Sequence, residues 1–178
     1  MWYLRTMNWS TTIQTPRFDL KPFTLDDADF VLELVNTPNW IRFIGDRNVH
    51  SIDDAQAYLK GGILKLWGDK GYGPYVAHDR ETGEKMAYVG WVKRDYLDTP
   101  DIGYACLPRF YRRGIVHEAN TALLDCARKA GEWPHIYAIT LPENEASIGV
   151  LRKSGFQKLR SFVEEPANEV VDLYQLIL

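Results

Sequence analysis

Cysteine is scarce in this chain: Cys106 and Cys126 are the only two in 178 residues. Two cannot build a disulfide framework or a Cys/His metal cluster, so no metal is expected. Cys106 falls on an expected core strand and Cys126 on an expected helix, and both read as small buried residues. Long hydrophobic runs are missing as well. No stretch approaches the ~20 apolar residues of a membrane-spanning helix, and the start, MWYLRTMNWSTT, lacks the unbroken apolar segment of a signal peptide. Nor is there a surplus of positive charge, since 21 Lys and Arg against 24 Asp and Glu leave a net −3. That balance gives no general pull toward nucleic acid or an anionic membrane, so neither is expected as a partner. Internal repeats and low-complexity tracts are absent. The expectation is a soluble, cytoplasmic protein whose basic features are local.

What is present suits one domain with a substantial core: 46% of the residues are apolar and 13% aromatic. Phe18, Leu20 and Pro22 alternate with polar residues as in a strand. Thr24 and Asp27 then read as the capped, acidic start of a helix carrying Phe30, Val31, Leu34 and Val35. Asn39–Ile44 reads as a short second helix. Ser51 with Asp54 opens a longer one, to about Trp67, interrupted by Gly61 and Gly62. Strands follow around Tyr75–Ala77 and Ala87–Val92, with polar turns at Asp79–Glu84 and Asp98–Pro100. Ile136–Thr140 is a further strand, and Phe156–Phe162 with Val170–Leu178 reads as a closing antiparallel pair. Runs of strands with inserted helices point to an α+β fold with a mixed, mostly antiparallel sheet flanked by helices.

The most informative stretch is Asp101–Ala119, DIGYACLPRFYRRGIVHEA. Ile102, Tyr104, Cys106 and Leu107 give a strand bounded by Asp101 and Pro108. Arg109, Arg112 and Arg113 load the following loop, and Gly114 opens a helix whose apolar positions Val116, Ala119, Leu123, Ala127 and Ala130 share one face. Unpaired N–H groups and the dipole at such a helix start, beside three arginines, form a seat for a pyrophosphate or another anion. A basic surface loop that only caps the helix is the plainer reading. A second stretch, Leu141–Phe156, LPENEASIGVLRKSGF, has Asn144 as N-cap and Gly155 as left-handed C-cap. Phe156 is then placed to fold back on Leu151.

Together these stretches resemble the GNAT superfamily of N-acetyltransferases, and within it the branch that includes ribosomal-protein N-terminal acetyltransferases. Ile102, Gly103, Tyr104, Leu107 and Pro108 match one motif of that branch. Asn144, Ser147, Val150, Leu151, Lys153, Gly155 and Phe156 match another, and TPRFDLKPFTLDDADFV, from Thr15, is similar to its opening segment. The resemblance covers about residues 13–178. Residues 1–12 then form an N-terminal extension whose Trp2, Tyr3 and Trp9 pack on the domain or on a second subunit, which leaves a homodimer open.

The resemblance implies a sheet whose two central strands, ending near Leu107 and Thr140, splay apart to take the pantetheine arm of acetyl-CoA. Backbone groups of Ala105 and Leu107 would serve pantetheine. The N–H groups from Arg109 to Val116, with the charges of Arg109, Arg112 and Arg113, would serve the pyrophosphate across Gly114 and Ile115. Trp40 and Phe43 are expected on the acceptor side, although both also suit a helix core. The superfamily loop usually reads Q/R-x-x-G-x-G/A. Here Tyr111 and Val116 replace its first and last residues, and Val116 adds two methyl groups beside the phosphates.

The implied reaction is direct acetyl transfer to a primary amine, that of an N-terminal peptide, a small amine or an amino acid, in a ternary complex. The amine must be neutral to attack. That costs about 4–5 kcal/mol for a lysine-like amine near pH 7 but only about 1 kcal/mol for an α-amine. Asp101 is a candidate base, directly or through water, or else a turn residue. His117 and His78 are weaker candidates. The tyrosine that many relatives use to protonate the thiolate is replaced by Leu151, and Ser147 is the substitute that the branch implies. Asn144 can bond pantetheine as well as cap its helix. A degenerate domain that binds acyl-CoA or a partner without turnover is the alternative.

Overall fold

The computed structural model describes residues 7–165 and 167–178, so Trp2 and Tyr3 lie outside the described residues. In chain order the strands are β1 (Ile13–Gln14), β2 (Phe18–Pro22), β3 (Pro74–Asp79), β4 (Lys85–Val92), β5 (Asp101–Cys106), β6 (His135–Thr140), β7 (Gln157–Glu164) and β8 (Glu169–Ile177). They form one sheet in the order β1-β2-β3-β4-β5-β6-β8-β7. Every neighbouring pair is antiparallel except β5 and β6, which are parallel. The helices are α1 (Ala28–Val35), α2 (Pro38–Phe43), α3 (Ile52–Tyr58), α4 (Leu64–Lys70), α5 (Ile115–Ala130) and α6 (Glu145–Lys153).

Local chemistry explains most boundaries. Thr24 and Asp27 form a reciprocal capping box around a single 3₁₀ turn before α1. The helix expected from Ser51 to Trp67 does start at the Ser51 cap, but it runs on to Lys70 with a π-helical segment over Leu59–Ile63. That segment holds the Gly61–Gly62 pair. The wider turn absorbs the glycines without ending the helix, and Leu59 and Ile63 both stay buried.

Helices cover both faces of the sheet. Tyr88 on one face of β4 meets the Trp40 ring of α2 edge-on at 6.0 Å. Trp91, on the opposite face by strand alternation, packs with Trp9 and Trp133. Trp9 is 3% exposed. Its Nε1 donates to Glu132 at 3.2 Å, and its carbonyl accepts from the Tyr75 hydroxyl at 2.5 Å. Part of the expected N-terminal extension therefore belongs to the main core.

The sheet is interrupted at its centre. Between β5 and β6 the pairing is confined to Asp101 opposite Tyr137, with the Tyr137 N–H on the Pro100 carbonyl at 3.2 Å. Beyond that point the parallel strands part, as the resemblance implies.

Candidate active site

A cavity of about 670 Å³ fills the space between the parting strands. It is bounded by β5, β6, α2, the start of α5 and α6, and of the site residues expected from sequence, Trp40, Phe43, Ala105, Arg112, Gly114, Ile115, Val116, Asn144 and Ser147 line it. Asp101, Leu107, Arg109 and Arg113 do not.

The strand register corrects the backbone assignment. The Leu107 N–H donates to the Met86 carbonyl at 3.0 Å, and the Leu107 carbonyl accepts from Phe110 at 2.9 Å. Leu107 thus has neither group free. Ala105 pairs with Tyr88, in the same alternation as Leu107 with Met86, so its backbone also turns toward β4. The groups facing the gap are those of the intervening residues, Tyr104 and Cys106. Cys106 lines the cavity and is half-buried, and Cys126 on α5 is half-buried too, so both are less buried than expected although both pack against the core. Burial pushes the Cys106 thiol up to about 11, against the pull of Arg109 and Arg113.

At the wide end lies the arginine loop. Gly114 caps α5 with φ +74°, a left-handed conformation that suits glycine, and Arg112 takes φ +61°. Ile115, Val116 and His117 occupy the first turn, where amides have no partner within the helix. No side chain among the described residues accepts from them. Arg112 and Lys153 add cationic groups to the lining, and His117 adds an imidazole. The other two arginines act elsewhere. Arg109 pairs with Glu33 and, at 2.8 Å, with Glu84. Arg113 lies over the Phe110 ring, 5.4 Å from its centroid. Their side-chain charges were expected at the anion seat, but nearer carboxylates and an aromatic face hold them away from the cavity.

Midway along the gap two hydroxyls meet. Tyr104 projects from β5 and its OH lies 3.0 Å from Ser147 Oγ and 3.2 Å from the Ser147 carbonyl. Asn144 caps α6 as expected, its Oδ1 accepting from the Ser147 N–H at 3.1 Å. At the far end of that helix Gly155 has φ +89°, and the Phe156 N–H returns to the Leu151 carbonyl at 3.0 Å. Leu151 is wholly buried and cannot offer a group to the cavity. Burial raises the Tyr104 phenol well above its ordinary pKa, with the Ser147 hydrogen bond acting the other way. Tyr104 was visible in the sequence as part of the motif, but its contact with Ser147 was not.

On the α2 side Trp40 and Phe43 form an aromatic wall. Trp40 Nε1 is buried without a hydrogen-bond partner among the described residues. Asn39 donates to the Tyr111 hydroxyl at 3.1 Å, joining α2 to the arginine loop. Among the described residues that line the cavity there is no carboxylate.

Asp101 is 2% exposed. Its Oδ2 accepts from Arg94 Nε at 3.2 Å, and Arg94 in turn pairs with Glu164, which also accepts from Tyr96. Burial pushes the Asp101 carboxyl up to about 6, although Arg94 opposes the shift. His78 lies on β3 away from the cavity, its pKa lowered by burial and then by Lys21. His117 reaches the cavity, with Nδ1 3.4 Å from Ser154 Oγ. No cluster of metal-ligating side chains occurs among the described residues.

Comparison with known proteins places this geometry. A model of the acetyltransferase (GNAT) domain matches residues 17–157. The uncharacterized N-acetyltransferase YoaA of Bacillus subtilis is 26% identical over 147 residues, covering 82% of each chain. A GNAT-family acetyltransferase from Bacillus anthracis has a structure similar to this one with a TM-score of 0.78 at 22% identity, over 94% of this chain and 98% of that one. RimL, a ribosomal L7/L12 α-N-protein acetyltransferase solved in complex with coenzyme A, aligns with a TM-score of 0.72 at 16% identity, over 94% and 98%. At these identities the structural likeness shows the fold alone.

Proposed function

The chain belongs to the GNAT acetyltransferases and is an acyltransferase, and from that premise we propose that it transfers the acetyl group of acetyl-CoA directly to a primary amine in a ternary complex. The observation that carries this reading is the continuity of one cavity from the first turn of α5, along the unpaired edge of β5, to the aromatic wall of α2. The free amides of Ile115–His117, with Arg112 and Lys153, suit the pyrophosphate. The edge of Tyr104 and Cys106 suits the pantetheine amides. Acetyl-CoA supplies an activated thioester, and the chain's own residues orient it.

Ser147 is the hydroxyl at the reacting end. Its amide is held by Asn144, so the side chain is fixed on the first turn of α6. Tyr104 stays protonated, since burial makes it a poor acid, and holds Ser147 Oγ by hydrogen bonding. Ser147 Oγ–H then meets the sulfur as negative charge develops there.

The carboxylate-free lining favours an α-amine over a lysine-like or polycationic acceptor. An α-amine releases its proton to water at a cost of about 1 kcal/mol near pH 7 and needs no buried base. Asp101 holds Arg94, and through it Glu164, and does not touch the amine.

A thiol-release assay with acetyl-CoA tests the proposal over a panel of N-terminal peptides, amino acids, small amines and polyamines. The expected result is release that depends on an α-amine acceptor. Tight binding of acetyl-CoA with no release for any acceptor would instead support a domain that binds without turnover.

A further inference from the structure

We propose that Arg17, in the turn between β1 and β2, is a positioning residue for the anion-binding loop at the start of α5; the inference rests on the cofactor reading above. Arg17 reaches across about a hundred positions of sequence and makes three contacts there. Its Nη1 donates to the Arg113 carbonyl at 2.9 Å. Its Nε donates to Glu118 Oε2 at 2.6 Å, and its own N–H donates to Glu118 Oε1 at 3.1 Å.

These contacts fall on both sides of Gly114, the residue whose left-handed turn aims the loop. Arg113 precedes it and Glu118 lies in the first turn that follows. The clamp thus fixes the peptide units on either side of the amides that face the cavity. It also resolves an electrostatic conflict. Glu118 sits in the turn where a pyrophosphate would bind, and a free carboxylate there would repel it. Burial raises the Glu118 carboxyl, but hydrogen bonds from Thr15 and Arg17 outweigh this and leave it below its ordinary value, hence ionised. Arg17 covers that charge and leaves the helix end positive. Its own side chain is half-exposed, and an exposed ion pair adds little to global stability. The contacts therefore organise the loop more than they hold the fold.

The test compares ligands with and without the pyrophosphate. Coenzyme A and pantetheine are titrated into wild type, Arg17→Ala and Arg17→Gln, with folding checked by circular dichroism and melting. Both variants are expected to bind coenzyme A at least about tenfold more weakly, the scale of one charge-assisted contact. Pantetheine affinity should stay within twofold. Adding Glu118→Gln to Arg17→Ala should recover part of the loss, because the uncovered carboxylate is gone. Unchanged coenzyme A affinity, or an equal loss for pantetheine, would overturn the assignment. Failure of wild type to bind either ligand is a separate result, which would remove the cofactor reading itself.

Discussion

Ser147 and Asp101 were both readable as candidates, yet their surroundings give them different work. Ser147 faces the cavity with its hydroxyl against Tyr104. Replacing it by alanine should lower kcat by about 10²–10⁴-fold, the scale of a lost proton-donating group. Tyr104→Phe, which leaves the serine unsupported, should lower kcat by roughly 3–10-fold, as one hydrogen bond is worth. Steady-state kinetics with saturating acetyl-CoA check both. Asp101 predicts a stability effect. Its carboxyl binds a proton more tightly in the native state, at about 6, than in the unfolded chain, near 3.8. Between those values the native state holds more protons, so stability falls as pH rises and the full penalty stands above pH 6. Asp101→Asn removes that slope. Denaturant unfolding at pH 5 and pH 7.5 should show wild type losing about 1–2 kcal/mol more than the variant over that interval. Parallel pH dependences would contradict it. The Asn144 cap and Ser147 were legible because a helix start is local. The partners of Asp101 and the role of Arg17 were not, because Arg94, Glu164 and Glu118 come from other turns and elements.

Among the elements, β5 carries the sharpest test. Sequence alternation marks a strand over Ile102–Leu107, one residue beyond β5 (Asp101–Cys106), but it does not say which edge each amide faces. That depends on β4, whose Met86 takes the Leu107 N–H. The parity puts Tyr104 and Cys106, not Ala105 and Leu107, on the open edge. Amide hydrogen exchange should therefore slow by at least about tenfold at Tyr104 and Cys106 when coenzyme A is added, while Ala105 and Leu107, already paired, change little. Protection gained at Ala105 and Leu107 instead would contradict the register. The element boundaries set by caps, at Thr24, Ser51, Asn144 and Gly155, were legible. The π segment at Leu59–Ile63 was visible only as an interruption, because the sequence shows two glycines but not the buried neighbours that keep the helix going.

At the scale of the whole molecule, the parallel β5–β6 pair makes the site. Seven strand junctions hold the sheet, and the central β5–β6 junction opens beyond Asp101 and Tyr137. The far edge contributes through the Arg17 turn, and the segment before β1 through Trp9. Trp9→Ala should cost about 3–5 kcal/mol and lower Tm by roughly 10 °C, since the indole packs on Trp91 and Trp133 inside the core. A change below 1 kcal/mol in a melting or denaturant experiment would mean that the segment is only appended. The fold class and the place of the gap were legible because two motifs flank it. The depth of the cavity and the sheet order that assembles it were not, since both arise from contacts between residues far apart in the chain. Placement of acetyl-CoA at the Gly114 loop is tested by calorimetric titration of acetyl-CoA into wild type and Gly114→Trp, after confirming that the variant is folded. Wild type is expected to bind acetyl-CoA, with a loss of at least about thirtyfold in the variant, whose bulky side chain would sit at the left-handed turn and cover the helix start. No binding by folded wild type, or equal binding by both proteins, would contradict the placement of acetyl-CoA at this loop.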